Sequence, residues 1–174
     1  MQNSSINPTI IIGIDPGTTI TGYGIIKIVG SGYQAIDYGC IRPPASLKLS
    51  DRYLVIFEGL EELLERHQPQ ALAVETQFVQ RNVQTAIKLG MARGIAIIAA
   101  KRKGIPVFEY TPMRAKRAVV GNGRASKEQV QSMVQRLLKL SAPPTPADAS
   151  DALSLAICHA QASRSFDAYR HTEI

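Results

Sequence analysis

The stretch Thr9–Ile28, "TIIIGIDPGTTITGYGIIKI", decides the fold. An isoleucine-rich run ends on Asp15, Pro16-Gly17 turns the chain, and a second β-rich run follows. These runs predict strands over Thr9–Asp15 and Gly22–Val29, and Gly30-Ser31-Gly32 then leads into a third over Tyr33–Ile41. Links this short between strands favour an antiparallel meander. Asp15 is a carboxylate placed where a buried strand surfaces. A turn acid, a nucleotide-holding loop and a metal ligand look alike at this range, so the rest of the chain must decide.

After "RPPASLKL" the apolar period changes from two to the helical one. Tyr53, Ile56, Phe57, Leu60, Leu63 and Leu64 share a helix face, with Ser50 as the expected N-cap. "ALAVE", Ala71 to Glu75, reads as a short buried strand ending on an acid. A helix follows over about Val83–Arg102, in which Gly90 and Gly94 are expected to admit a neighbouring element. "IPVFEY" is another strand. Thr111 caps a helix with Pro112 at its first position, and Gly121-Asn122-Gly123 ends it. Ser126 and Gln129 form a capping box for a helix with the apolar face Val130, Met133, Val134, Leu137 and Leu138. The Pro-rich "SAPPTPAD" precedes a last helix over about Pro146–Ser163. The expected fold is α/β: a mixed five-stranded sheet, three antiparallel strands then parallel ones, flanked by helices. Residues 10–163 are expected to form a single domain, with a disordered tail at 1–9 and a flexible one at 164–174.

Composition narrows the function. At 174 residues with 45% hydrophobic and 20% charged, the chain can bury a real core and is not of disordered type. "TIIIGI" and "GIAIIAA" are too short to cross a bilayer, and Cys40 and Cys158 are too far apart in sequence for a metal motif. Twenty Lys and Arg against fourteen Asp and Glu, a net charge of +6, favour a polyanionic partner or serve solubility alone.

Against that basic background, four acids stand at element ends. Asp15 closes the first strand and Glu75 the fourth, so in adjacent parallel strands their carboxylates emerge side by side. Asp148 and Asp151, spaced i and i+3, share a face of the last helix, with the small residues Ala152, Ala156 and Ala160 expected on the opposite one. Converging carboxylates repel and raise one another's pKa unless a cation neutralises them. Oxygen-only donors suit Mg²⁺ or Mn²⁺, and two such ions about 3.5–4 Å apart can activate water and stabilise the leaving oxygen in phosphodiester cleavage. The alternatives are a turn role for Asp15 and a capping box, Thr145-x-x-Asp148, for Asp148.

The segments "IIGIDPGTTITGYGII", "VETQFVQRNVQTAIKLGMARGIAI", "FEYTPMRAKRAVVGNGRASKEQV" and "PADASDALSLAICHA" resemble the RuvC family of Holliday-junction resolvases, in family order from Ile10 to Ala160. The resemblance implies an RNase H-like fold and a cytoplasmic homodimer. It also implies Mg²⁺- or Mn²⁺-dependent symmetric nicking of opposed strands at a four-way DNA junction, leaving 5′-phosphate and 3′-hydroxyl ends. Asp15, Glu75, Asp148 and Asp151 match the family's catalytic acids, which hold two ions. Phe78 matches an aromatic that stacks on a junction base, an interaction worth roughly 1–3 kcal/mol per base; packing beneath its own loop is the alternative. Lys116 and Lys127 match lysines that handle DNA. Arg114, Arg117 and Arg124 lie among them, and Arg81, Lys88 and Arg93 extend the expected phosphate track. The helix around Gly90, Met91 and Gly94 looks like the family's dimer-forming helix. A partnership with a RuvA–RuvB branch-migration complex is implied as well.

The histidines carry no catalytic expectation. His67 suits a helix C-terminus, His159 stands about 16 Å along the helix from Asp148, and His171 lies in the tail. Rival readings remain. "GIDPGTT" also resembles the first phosphate loop of actin-like ATPases and sugar kinases, which need a second such domain. A junction-binding protein without cleavage, and an RNase H-like nuclease acting on RNA or on ordinary single strands, complete the set.

Overall fold

A computed structural model describes residues 9–76, 82–164 and 173–174. Its elements are β1 (Ile10–Asp15), β2 (Thr21–Val29), β3 (Gly32–Ile41), α1 (Leu49–His67), β4 (Ala71–Glu75), α2 (Val83–Arg102), β5 (Val107–Tyr110), α3 (Pro112–Val120), α4 (Lys127–Leu137) and α5 (Ala147–Ala162). The strands form one sheet in the order β3-β2-β1-β4-β5. β1, β2 and β3 pair antiparallel, as their short links require. β4 pairs parallel to β1, and β5 parallel to β4, each after a helical crossover.

Period-two alternation in β1 sorts its side chains between two cores. Ile12 and Ile14 face α1 and α2, among Ile56, Leu60, Leu64, Ala96 and Ala99. Ile11 faces α3, α4 and α5, among Phe108, Val130, Val134, Leu153 and Ile157. Each fully buried Ile, Leu or Phe contributes about 1.5–3 kcal/mol, so both faces hold the sheet.

On the second face α5 lies on bare backbone. A methyl group at Gly13 would sit 1.9 Å from the Ala152 carbonyl oxygen, and one at Gly22 would sit 2.2 Å from that of Asp148. Only glycine admits a helix axis this close. Asp148 therefore shares its stripe with Ala152 and Ala156 against the sheet, correcting the expectation that these alanines lie opposite the acids.

Two local expectations change. Lys48, not Ser50, is the N-cap of α1, and it makes no side-chain cap hydrogen bond. Arg52 fixes that entry instead, donating to the backbone oxygens of Leu47, at 3.1 Å, and Ala45. Among the described residues, a methyl group at Gly90 or Gly94 would meet nothing within 4 Å, so no described neighbour explains them. The Thr111 cap and the Ser126–Gln129 capping box form as expected.

Candidate active site

The site follows from the register. Ile14 of β1 pairs with Val74 of β4, so the next residues, Asp15 and Glu75, leave the sheet together on neighbouring strands. α5 starts over the same edge because Gly22, the β2 partner of Asp15, accepts its first turn. Asp15, Glu75 and Asp151 line an open cavity of about 290 Å³ with Lys116, Lys127, Pro112, Ala115, Val130 and Ser154. Asp148 stands one turn earlier on α5, on the β2 side, close enough to act on Asp15. All four acids are half-buried.

The alternative roles for two acids lose their support here. The turn after Asp15 is closed by Thr21, whose hydroxyl donates to the Gly17 carbonyl at 2.7 Å and accepts from the Gly17 N–H at 3.3 Å. The N-cap of α5 is Pro146, with no side-chain cap hydrogen bond, so the Thr145–Asp148 capping box does not form.

Electrostatics bind the acids into one unit. Burial, followed by the charges of Glu75, Asp151 and Asp148, pushes the Asp15 carboxyl up to about 8, with Lys127 opposing. Burial and Asp151 raise Glu75 to about 7 against Lys116 and Lys127. Asp151 is raised chiefly by burial. Such proton affinity marks a surplus of negative charge that a divalent cation would relieve. The donors are all hard oxygens, which fits Mg²⁺ or Mn²⁺ chemistry. Among the described residues no three Asp, Glu, His or Cys side chains gather tightly enough to enclose an ion by themselves. Asp15, Glu75 and Asp151 line the cavity, and substrate or water oxygens would complete any coordination shell.

The expected cations divide. Lys116 and Lys127 reach the cavity, and the Lys116 ammonium also donates to the Ala125 carbonyl at 3.2 Å, tying α3 to the start of α4. Arg114 stacks over the Tyr110 ring, its guanidinium carbon 5.0 Å from the centroid. Arg117 and Arg124 are exposed and do not line the cavity. Arg93 forms an ion pair with Glu109 of β5. Lys88 is exposed on α2. Phe78 and Arg81 lie outside the described residues, as does His171.

The other histidines are structural in geometry. His67 Nε2 is 3.2 Å from Asp37. His159 is buried, which lowers its pKa to about 4, with Nδ1 2.7 Å from the Tyr110 hydroxyl.

Two residues near the acids escaped the sequence reading. Ser154 follows Asp151 at i+3, so helical spacing alone could have placed it in the cavity. Cys40 pairs with Gly22 across the β2–β3 hairpin, and burial together with Asp148 pushes its thiol up to about 11. The hairpin register was the available signal.

Comparison with known proteins gives a consistent result. Residues 11–159 match the family model of the crossover junction endodeoxyribonuclease RuvC. The crossover junction endodeoxyribonuclease RuvC of Protochlamydia amoebophila (strain UWE25) is 66% identical over 155 residues, covering 89% of this chain and 92% of that one. Its counterpart from Ruminiclostridium cellulolyticum is 48% identical over 155 residues, covering 89% and 93%. The structure of T. thermophilus RuvC in complex with a Holliday junction substrate superposes with a TM-score of 0.84 at 35% identity, covering 95% of this chain and 98% of that one.

Proposed function

The chain belongs to the RuvC family of crossover junction endodeoxyribonucleases, and from that premise we propose that it resolves four-way DNA junctions by metal-dependent nicking of two opposed strands. The observation that carries this reading is the cavity itself, where Asp15, Glu75 and Asp151 stand beside Lys116 and Lys127 at one sheet edge. Asp15, Glu75, Asp148 and Asp151 are the catalytic acids and would hold Mg²⁺, with Mn²⁺ as a substitute and two ions per site. When bound, these ions supply Lewis acidity and charge neutralisation at the scissile phosphodiester. The strands β1 and β4 fix two carboxylates on stiff backbone, and α5, seated on glycine, fixes the other two. Lys116 and Lys127 bring positive charge to the phosphate from the α3–α4 side, where it is worth most in a partly dry cleft. Phe78 and Arg81 follow β4 in sequence and act on the junction's unpaired bases and backbone. The products are a 5′-phosphate and a 3′-hydroxyl.

Two symmetric nicks call for two equivalent sites, which an isologous homodimer supplies. α2 supports that assembly: Val83, Ile87, Met91 and Ile98 are 64%, 59%, 50% and 58% exposed. They follow one another at helical spacing, with Gly90 and Gly94 open between them. A second α2 laid on this stripe buries it. By length and composition alone α2 could also cross a membrane, but its other face packs Ala92, Ala96, Ala99 and Ala100 into the core beneath the sheet. The reading is of a cytoplasmic enzyme that works with a RuvA–RuvB branch-migration complex.

The test is cleavage of end-labelled mobile and immobile four-way junctions with Mg²⁺, beside an EDTA control and the Asp15→Asn protein. Paired nicks on opposed strands, lost with EDTA and in the variant, are expected. Tight binding without cuts under every divalent metal tried would leave a junction-recognition protein.

A further inference from the structure

The acids have cations on one side in the cavity, Lys116 and Lys127, and the fold places another on the opposite side. The sheet register runs from Asp15 to Gly22 and from Gly22 to Cys40, so the end of β3 lies on the same edge as the acids. At about 4.8 Å per strand, β3 is roughly 10 Å from β1. Cys40 feels the charges of Asp148, Arg42 and Asp15, whereas Glu75 feels Asp151, Lys116 and Lys127. By register, Arg42 follows the end of β3 two strands out from Asp15, whereas Lys116 and Lys127 come from α3 and α4.

Arg42 is exposed and belongs to none of the ion pairs among the described residues. Its loop is nevertheless well held. Pro43 is buried, Leu47 N–H donates to the Pro44 carbonyl at 3.1 Å, and Arg52 ties down Ala45 and Leu47. A cation on a fixed loop beside clustered carboxylates has an obvious use in a site that must accept a polyanion. Four acids repel an incoming backbone, and cations on one side alone would draw it off the acids toward α3 and α4. We propose that Arg42 contacts a backbone phosphate of the DNA strand on the β3 side of the cleft, facing Lys116 and Lys127 across the acids. This rests on the nuclease reading and deepens it, making the site a two-sided clamp.

The experiment measures binding of a labelled four-way junction by fluorescence anisotropy over a range of NaCl with EDTA present, in the Asp15→Asn parent, which is expected not to cut. Arg42→Ala is expected to weaken binding several-fold near 0.1 M salt and to reduce the slope of log K against log [salt] by about one. Arg42→Lys should keep the slope, and Arg42→Glu should weaken binding at least tenfold. Lys101→Ala, an exposed cation at the far end of α2, should leave both quantities unchanged. Matching thermal unfolding confirms that the variants are folded. An Arg42→Ala protein with the parent's affinity and slope overturns the clamp alone. A parent that does not prefer the junction over linear duplex overturns the nuclease reading and the clamp together.

Discussion

Replacing Asp15 by Asn should stabilise the metal-free protein, and by an amount that depends on pH. In the fold the Asp15 carboxyl holds its proton up to about 8, because it is buried and faces Glu75, Asp151 and Asp148, against 3.8 for an ordinary aspartate. Between these values the native state binds more protons than the unfolded chain, so wild-type stability falls as pH rises. Asparagine fills nearly the same volume and carries no charge, so it escapes this loss. The ceiling on the gain, four pH units at about 1.4 kcal/mol each, is about 6 kcal/mol. The cavity is open, and rotation of the carboxylate toward water lowers the expected gain at pH 8 to about 2 kcal/mol. For a domain of this size that raises Tm by about 5 °C. Thermal unfolding in EDTA should show the gap at pH 8 and its disappearance near pH 4.5. Millimolar Mg²⁺ should then narrow the gap by stabilising the wild type alone. A variant less stable than wild type across the whole range would refute the reasoning, because the carboxylate would then be a satisfied turn acid rather than one of a repelling set.

Gly22→Ala should destabilise by about 3 kcal/mol and abolish cleavage, since the added methyl falls 2.2 Å from the Asp148 carbonyl oxygen and must lift the start of α5; unfolding and junction cleavage report the two effects. His159→Gln should flatten acid sensitivity. The native imidazole, lowered to about 4 by burial, resists protonation while the unfolded one takes a proton near 6.5, so wild-type stability declines by up to about 3 kcal/mol as pH falls through that window. Unfolding at pH 4.5 and 7.5 separates the variants. Ile87→Glu, placed on the exposed stripe of α2, should yield a monomer in sedimentation that still binds junctions weakly; an unchanged dimer would move the interface elsewhere.

Asp15 and Glu75 were legible because each closes a strand. β1 and β4 announce their bounds through alternation and turn residues, and a carboxylate closing an isoleucine run has few local reasons to be there. Two adjacent parallel strands then bring Asp15 and Glu75 together without any further knowledge of the fold. The start of α1 was misread for a related reason. Ser50 is a good capping residue in isolation, but the Arg52 hydrogen bonds to Ala45 and Leu47 pull the first turn back to Leu49. A first-turn side chain reaching back five and seven residues overrode the capping preference of Ser50.

Cations obey no such local rule. Lys116, Arg114 and Arg93 all sit on basic helices, yet one reaches the cavity, one stacks on Tyr110 and one pairs with Glu109. Each partner comes from another element, so the basic helices alone do not distinguish these fates. Arg42 went unread for the same reason: its meaning depends on β3 ending two strands from Asp15 and on Asp148 descending beside Cys40. Glycine carries the missing information. Gly13 and Gly22 look like ordinary strand glycines until α5 is laid across them. Only their lack of side chains lets Asp148 and Asp151 meet the carboxylates of β1 and β4, and two bare α-carbons, as much as four acids, make the site.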